Sequence, residues 1–430
     1  MKLGFTPKVM AFFVGLFLCQ NFPAKASSVP LVRDSFIYGQ CIHLGFEKNK
    51  AYSSPEDVVW KLAYLGVDST RDDLFWDIKK ANSLQSIPDT MSHIAYGFTH
   101  LQARPLLILT GNKRHIPEGQ PLTPETRGAF VAYAQKAAQA LKELNPIFEV
   151  WNEWNLAAKK GSDLGSPEKY VALAKETYPV LKKVNPKGIV LAGAVGEDPR
   201  WSWTMSAVRA GLMNYADGLS VHIYNHCKRE KYRTGDDVIK SLEELHAKLK
   251  SVSPEQDTPV YLTEYGWPNK DGKCGGVSEE KAAANMAQFL LMAPSIPWLK
   301  GAWHYELLDR GLDKKNREHH FGQYTYDGRL KPSGCVAKSI WAILGDKVFL
   351  EKRTLAKGGH MVVYGKGDER LIGLWQTAGA SLNRVKIPKG ASTVPLCGFA
   401  QVEPDREYDL SAEPILMSLP AQLVHSLVLE

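Results

Sequence analysis

Two glutamates in this sequence sit among residue types that suit acid–base chemistry. Glu153 lies in Trp151-Asn152-Glu153-Trp154-Asn155, and Glu264 in Thr263-Glu264-Tyr265-Gly266-Trp267. Elsewhere Ser220, His222 and Tyr224 recur at every second position, as do Arg71 and Asp73, which Trp76 follows. Residues two apart on a strand share a face, so each set points one way. His43 lies in the first apolar run of the chain, and Trp303 and Tyr305 lie in a late one. Two carboxyls ringed by aromatic rings and by amide or imidazole hydrogen-bonders are what glycoside hydrolysis needs. One must be protonated, to deliver a proton to the leaving oxygen; the other must be ionised, to attack the anomeric carbon. Aromatic rings stack on the apolar faces of sugars, and Asn152 could hold a hydroxyl.

Such residues need a scaffold that brings distant segments together. Short apolar runs occur at Ile37–Leu44, Val67–Leu74, Pro105–Thr110, Ile147–Trp151, Ile189–Ala194, Gly218–Tyr224, Val260–Thr263 and Gly301–Tyr305. Helical patterns lie between them, including Pro55–Leu65, Thr126–Leu144, Pro167–Val184, Asp236–Leu249 and Glu279–Met292. Ser54-Pro55-Glu56, Thr123-Pro124-Glu125 and Ser166-Pro167-Glu168 each place a capping hydroxyl before a proline at the first helical position. Eight strand-like runs alternating with helices predict an α/β fold, a (β/α)8 TIM barrel over residues 33–348, in which chemistry belongs at the carboxyl ends of the strands. An open doubly wound sheet is disfavoured, because no Gly-x-Gly-x-x-Gly turn follows the first run. Beyond it, His360–Tyr364, Leu371–Trp375, Arg384–Ile387, Pro414–Leu419 and Leu423–Leu429 are short β-type runs, which predict a small antiparallel, sandwich-like β domain over 349–430.

Composition narrows the partner. Of the 430 residues 44% are hydrophobic and 23% charged, an ordinary globular balance. The net charge of +7 suggests an anionic partner until the first residues are read. Lys2 and Lys8 precede the apolar run from Val9 to Leu18, and Ala24-Lys25-Ala26 follows, the layout of a secretory signal peptide over residues 1–26. Its removal would take away three lysines and no acidic residue, lowering the charge to +4. Nucleic acid is not expected as a partner, nor a membrane span after cleavage, and a periplasmic or secreted location is. Cys41, Cys227, Cys274, Cys335 and Cys397 would remain, an odd number that leaves at least one free thiol. Cys227 and Cys274 are the candidate bridge, with two unpaired loop thiols as the alternative.

The strand-end motifs resemble those of the clan A retaining glycoside hydrolases. Phe148-Glu149-Val150-Trp151-Asn152-Glu153 and Thr263-Glu264-Tyr265-Gly266-Trp267 are most similar to family 39 and the related bacterial exopolysaccharide endoglycosidases. The Arg71-Asp72-Asp73 stretch, the run from Ser220 to Tyr224 and the barrel-plus-β layout agree. The resemblance implies that Glu153 is the acid/base and Glu264 the nucleophile. It further implies that Asn152 binds the sugar 2-hydroxyl, Tyr224 hydrogen-bonds Glu264 and His222 lines the sugar site. One departure concerns Trp154, which stands where the family motif usually has proline and so changes the adjoining loop.

Plainer roles stand beside these. Either glutamate alone could be an ion-pair partner, for example of Arg71, and Glu149, one step deeper than Glu153, reads as structural. His222 could be a core histidine, and Trp76, Trp267 and Trp303 core aromatics. Glu306 and Asp73 are reserve candidates for the carboxylate pair. Glu318-His319-His320 reads as a solvated loop rather than a metal site. The resulting expectation is an exported monomer that needs no metal or cofactor and cleaves a polysaccharide or oligosaccharide, with endo action favoured. The alternatives are an exo-acting β-glycosidase such as a β-xylosidase, or a non-catalytic polysaccharide-binding barrel.

Overall fold

The computed structural model describes residues 31–45, 50–76, 103–111, 119–270, 274, 276–355, 358–377 and 383–429. The expected signal peptide lies outside them. Eight parallel strands close a barrel in chain order: β1 Ile37–Cys41, β2 Ser69–Trp76, β3 Arg104–Gly111, β4 Ile147–Val150, β5 Val190–Val195, β6 Gly218–Ile223, β7 Val260–Tyr265 and β8 Leu299–His304. β8 pairs back onto β1, with Gly39 opposite Trp303. The strands are buried almost throughout because helices cover one face and the barrel interior the other. The helices Pro55–Leu65, Pro167–Val184 and Glu279–Met292 have the bounds that the sequence predicts. Their caps explain this: Ser54 accepts from the Asp57 amide and Ser166 from that of Lys169, each ahead of a proline with no amide proton to satisfy. Thr123 likewise caps Pro124–Leu141, where the pattern pointed to a start two residues later. No helix among the described residues is long and apolar enough to cross a membrane.

The C-terminal strands are β9 Val348–Thr354, β10 Gly359–Lys366, β11 Glu369–Gln376, β12 Arg384–Lys386, β13 Ser392–Thr393, β14 Glu407–Asp409, β15 Ile415–Pro420 and β16 Val428–Leu429. They form two antiparallel sheets, ordered β13-β15-β11-β10-β9 and β14-β12-β16. Alternation along β10 and β11 divides the larger sheet's side chains. Met361, Val363, Ile372 and Leu374 pack toward Val385 and Ile387 of the smaller sheet, whereas Val362, Tyr364, Leu371 and Trp375 join the core around the barrel. The helix Glu279–Met292 lies beneath that second face, which is why every residue from Ala282 to Met292 is buried. Tyr364 donates to the Leu291 carbonyl (2.8 Å), and Trp375 Nε1 donates to Asp236 (2.9 Å). Most of the strand predicted over Leu423–Leu429 is instead a 3-10 segment, Ala421–Ser426, leaving two residues to pair with β12.

Cys227 and Cys274 form a disulfide, as the candidate pairing anticipated. A second disulfide, Cys335–Cys397, joins the helix Pro332–Leu344 to the loop after β13 and so ties the two parts of the chain together. Among the described residues Cys41 is the free thiol, buried in β1.

Candidate active site

The carboxyl ends of the strands open into a cavity of about 540 Å³ lined by Glu153, Glu264, Asn152, Arg71, Tyr224 and Tyr305, among others. Glu153 follows β4 in a tight turn in which Trp151 (φ 67°) and Glu153 (φ 47°) both take left-handed conformations. Such conformations are uncommon for non-glycine residues and persist where the surroundings hold them. Here the Trp151 amide donates to Leu109 of β3 (2.9 Å) and the Glu153 amide to Ala194 of β5 (2.8 Å), fixing the turn to both neighbouring strands. Trp154 opens a 3-10 turn, Trp154–Ala157, and is fully buried against Trp151 and Tyr170, with its Nε1 donating to the Ser166 carbonyl (2.9 Å).

Glu264 lies within β7, directly in register with His222 of β6. Its carboxylate takes three contacts. Arg71 Nη1 donates to Oε1 (2.6 Å), Tyr224 Oη donates to Oε2 (2.7 Å), and His222 Nδ1 lies 3.5 Å from Oε2. Burial works to raise the pKa of this carboxyl, but His222, the Arg71 charge and the two donated hydrogen bonds outweigh it and hold it at about 2. His222 Nδ1 also reaches Glu153 Oε1 at 3.1 Å, so one imidazole bridges the two glutamates. One carboxylate oxygen of each glutamate and a His222 nitrogen all lie within 4.8 Å of one another. The two side chains differ in exposure, 28% for Glu153 and 10% for Glu264.

Arg71 organises the floor from β2. Its Nε donates to Glu149 (2.8 Å) and its Nη2 to Asn152 Oδ1 (2.8 Å), in addition to the bond to Glu264. Glu149 is fully buried as this ion-pair partner, the structural role that its position predicts. A second network lies under the β1 and β8 side. His43 Nε2 is 3.2 Å from Glu306, which also accepts from Tyr52 Oη (3.2 Å) and pairs with Arg310 (2.9 Å). Burial disfavours the charged imidazole, yet Asp73 and Glu306 outweigh it and raise the His43 pKa to about 10. Burial and the neighbouring Asp73 push Asp72 up to about 7. Ligand-type atoms of His43, Asp72 and Asp73 also converge within 4.8 Å, as do those of His226, Cys227 and Cys274, whose two cysteines are joined in a disulfide.

Of the residues singled out in the sequence, Glu153, Glu264, Asn152, Arg71, Asp73, His43 and Tyr224 line the cavity. His222 is buried behind the two glutamates. Trp76, Trp267 and Trp303 are not among the lining residues. Trp76 packs edge-on against Phe130, Trp267 donates to Asn225 (2.9 Å), and Trp303 sits inside the barrel donating to Ser69 (3.0 Å). Glu306 is wholly buried in the His43 network, and Glu318 accepts from Arg310 and Arg317 while His320 bonds to the Asp313 carbonyl. The aromatic wall is built instead by Tyr224, Tyr305 and Phe321, in edge contact at centroid distances of 5.3–6.2 Å. Phe321, Arg310, Leu156 and Glu197 had no signal in the sequence. They come from irregular segments beyond the strands, where no periodicity marks a direction.

Residues 116–306 match the family Cellulase (glycosyl hydrolase family 5). No curated protein matches the chain. Among solved structures, a family 39 glycoside hydrolase from the gut symbiont Bacteroides cellulosilyticus WH2 is similar, at 22% identity and a TM-score of 0.71, covering 90% of this chain and 82% of that one. The GH39 enzyme from Xanthomonas axonopodis pv. citri is 13% identical, with a TM-score of 0.60 and coverage of 91% and 95%. GH5_18 from Streptomyces cattleya, solved in complex with GlcNAc, is 17% identical, with a TM-score of 0.56 and coverage of 72% and 80%. At these identities the likeness to the solved structures is one of fold. Residues 116–306 are thus similar to a family 5 glycoside hydrolase, and the chain shares the barrel fold of these solved glycoside hydrolases.

Proposed function

We propose that the protein is an exported retaining glycoside hydrolase that cleaves a polysaccharide internally by double displacement. The observation that carries the mechanism is the convergence of one Glu153 oxygen, one Glu264 oxygen and the bridging His222 nitrogen within 4.8 Å at the cavity floor. Retaining enzymes hold their two carboxyl groups about 5–5.5 Å apart, whereas inverting ones leave about 6.5–9.5 Å for a water. Glu264, kept ionised by Arg71 and Tyr224, attacks the anomeric carbon while Glu153 protonates the departing oxygen. Glu153, then a base, takes a proton from water as the water displaces Glu264. Export is supported by the composition of residues 1–26, and internal cleavage by the resemblance of the strand-end motifs to exopolysaccharide endoglycosidases.

The test is a reducing-end and product-size assay over bacterial and plant polysaccharides, followed by NMR of the first product anomer. Early shortening of the polymer with retained anomeric configuration is the expected result. Release of monosaccharide alone would replace endo with exo action, an inverted product would remove the double displacement, and binding without reducing ends would leave a non-catalytic sugar-binding barrel.

A further inference from the structure

We propose that Leu156 and Glu197 form the subsite for the departing sugar, and that this subsite takes a neutral or amino-bearing sugar in preference to an acidic one. The proposal rests on Glu153 as the acid/base of the function proposed above. The group that protonates the leaving oxygen lies beside it, so side chains flanking Glu153 away from Glu264 face the departing sugar.

Leu156 and Glu197 hold that place. Both line the cavity. A Cβ built on Gly196 would meet Glu153 Oε1 at 2.8 Å and Leu156 Cδ1 at 2.8 Å, so the acid/base and this leucine close on the same point of the β5 loop. Leu156 is 54% exposed, although its neighbour Trp154 is fully buried. The buried indole anchors the short turn, and the turn then lifts Leu156 to the cavity mouth as an apolar platform of the kind a sugar's C–H face covers. Asn155 fixes the two loops against each other. Its Oδ1 accepts from the Gly196 amide (3.1 Å), and its Nδ2 donates to the Gly196 and Glu197 carbonyls (3.4 Å each). The replacement of proline by Trp154 in the motif thus has a consequence for the pocket's shape.

The charge follows from the same residues. Glu197 is exposed, and among the described residues no cation pairs with it. With Glu153 it gives the leaving side two carboxylates, whereas Arg310 and Arg317, which also line the cavity, are already paired with Glu318. A sugar carboxylate on the leaving side would face like charges, and an ammonium or hydroxyl would find acceptors.

Acceptor-dependent turnover of a trapped glycosyl-enzyme isolates this subsite. A 2,4-dinitrophenyl 2-deoxy-2-fluoroglycoside is used to load Glu264, and the adduct is measured by mass. The acceptor's hydroxyl oxygen then bonds to the anomeric carbon, the bond to Glu264 breaks, and the hydroxyl proton passes to Glu153. Glucosamine, methyl glucoside and glucuronic acid serve as acceptors. Glucosamine is expected to release the adduct at least about five-fold faster than glucuronic acid. Glu197→Gln should bring that ratio toward one, and Leu156→Asn should slow every acceptor relative to release by water. Because each readout is a ratio within one protein, partial loss of folded enzyme does not move it. A wild-type preference for glucuronic acid, or a ratio unchanged in Glu197→Gln, overturns the proposal. An enzyme that forms no adduct with any activated fluoroglycoside would overturn the retaining mechanism itself, and the subsite with it.

Discussion

The two glutamates of the cavity are held in opposite ways. Glu264 is part of a strand, buried, and gripped by an arginine, a tyrosine and a histidine. Glu153 sits just past a strand on a left-handed turn, is nearly three times as exposed at the side chain, and has among the described residues one hydrogen-bonding side-chain partner, His222. The difference fits the roles proposed for the two groups. A nucleophile works from a single ionised state, so every contact that stabilises charge helps it. An acid/base must lose and regain a proton within each cycle, and strong stabilisation of either form would hinder it. His222 touches both and couples them.

Replacing the glutamates one at a time breaks the comparison most severely. Glu264→Gln is expected to lower kcat by more than about 10⁴-fold on any substrate, because it removes the attacking carboxylate. Glu153→Gln should cost about 10²–10⁴-fold on a sugar leaving group. It should cost far less on a dinitrophenyl glycoside, whose leaving group departs without a proton. Steady-state kinetics on the two substrate types check this. Equal losses for both variants on both substrates would mean that the roles are not divided as the contacts imply.

Arg71 tests whether the tight grip on Glu264 is also structural. It is 3% exposed and neutralises Glu149 and Glu264 together. Arg71→Met would strand two buried carboxylates, and a loss of about 3–5 kcal/mol in chemical denaturation is expected. Glu149→Gln, made in the Arg71→Met background, should recover part of that loss. No comparable loss is expected for Glu153→Gln, whose side chain is the more exposed of the pair.

Much of this contrast could be read from the sequence, and the unread part has a physical reason. Glu153 and Glu264 were recognisable because each follows an apolar run that had to be a strand, and strand ends in a closed parallel barrel converge. The Arg71, His222 and Tyr224 positions followed from period two. The same rule misplaced Trp303, because alternation tells which face of a strand a residue occupies but not its depth. Inside a closed barrel the inner face below the mouth is packed core, and the Trp303 indole fills it. Trp76 and Trp267 likewise ended among other rings rather than at the cavity. The Cys335–Cys397 disulfide escaped notice because it joins a barrel helix to the β unit, a proximity that no local spacing encodes.

Tyr224 gives a smaller and more graded effect. Its hydroxyl stabilises the ionised form of Glu264, so Tyr224→Phe should raise that carboxyl from about 2 toward its ordinary value of 4.5. The nucleophile is active when ionised, and activity is lost as pH falls through its pKa. The acid limb of the kcat/KM profile should therefore move to higher pH in the variant, with a loss of about ten-fold near neutrality from one charge-assisted hydrogen bond. The same sign holds for stability. A carboxyl with a depressed pKa stabilises the folded state above about 4.5, and that contribution is lost as pH falls toward 2. Tyr224→Phe should flatten this decline in thermal denaturation between those limits.

The smallest effect is expected from Gly196, which touches the loosely held glutamate without forming any polar contact to its carboxylate. A Cβ there would come within 2.8 Å of Glu153 Oε1 and of Leu156 Cδ1, closer than real contacts allow. Both are the ends of flexible side chains, and Gly196 is not among the residues with positive φ, so the fold can accept Gly196→Ala by turning those side chains aside. The displaced carboxyl would then meet the leaving oxygen at a poorer distance. We expect a several-fold fall in kcat on sugar leaving groups, a much smaller fall on dinitrophenyl glycosides, and a midpoint of denaturation within about 1 kcal/mol of the wild type. If dinitrophenyl glycosides suffered as much as sugars, the alanine would be disturbing Glu264 through His222, and the two glutamates would be less independent than their contacts imply.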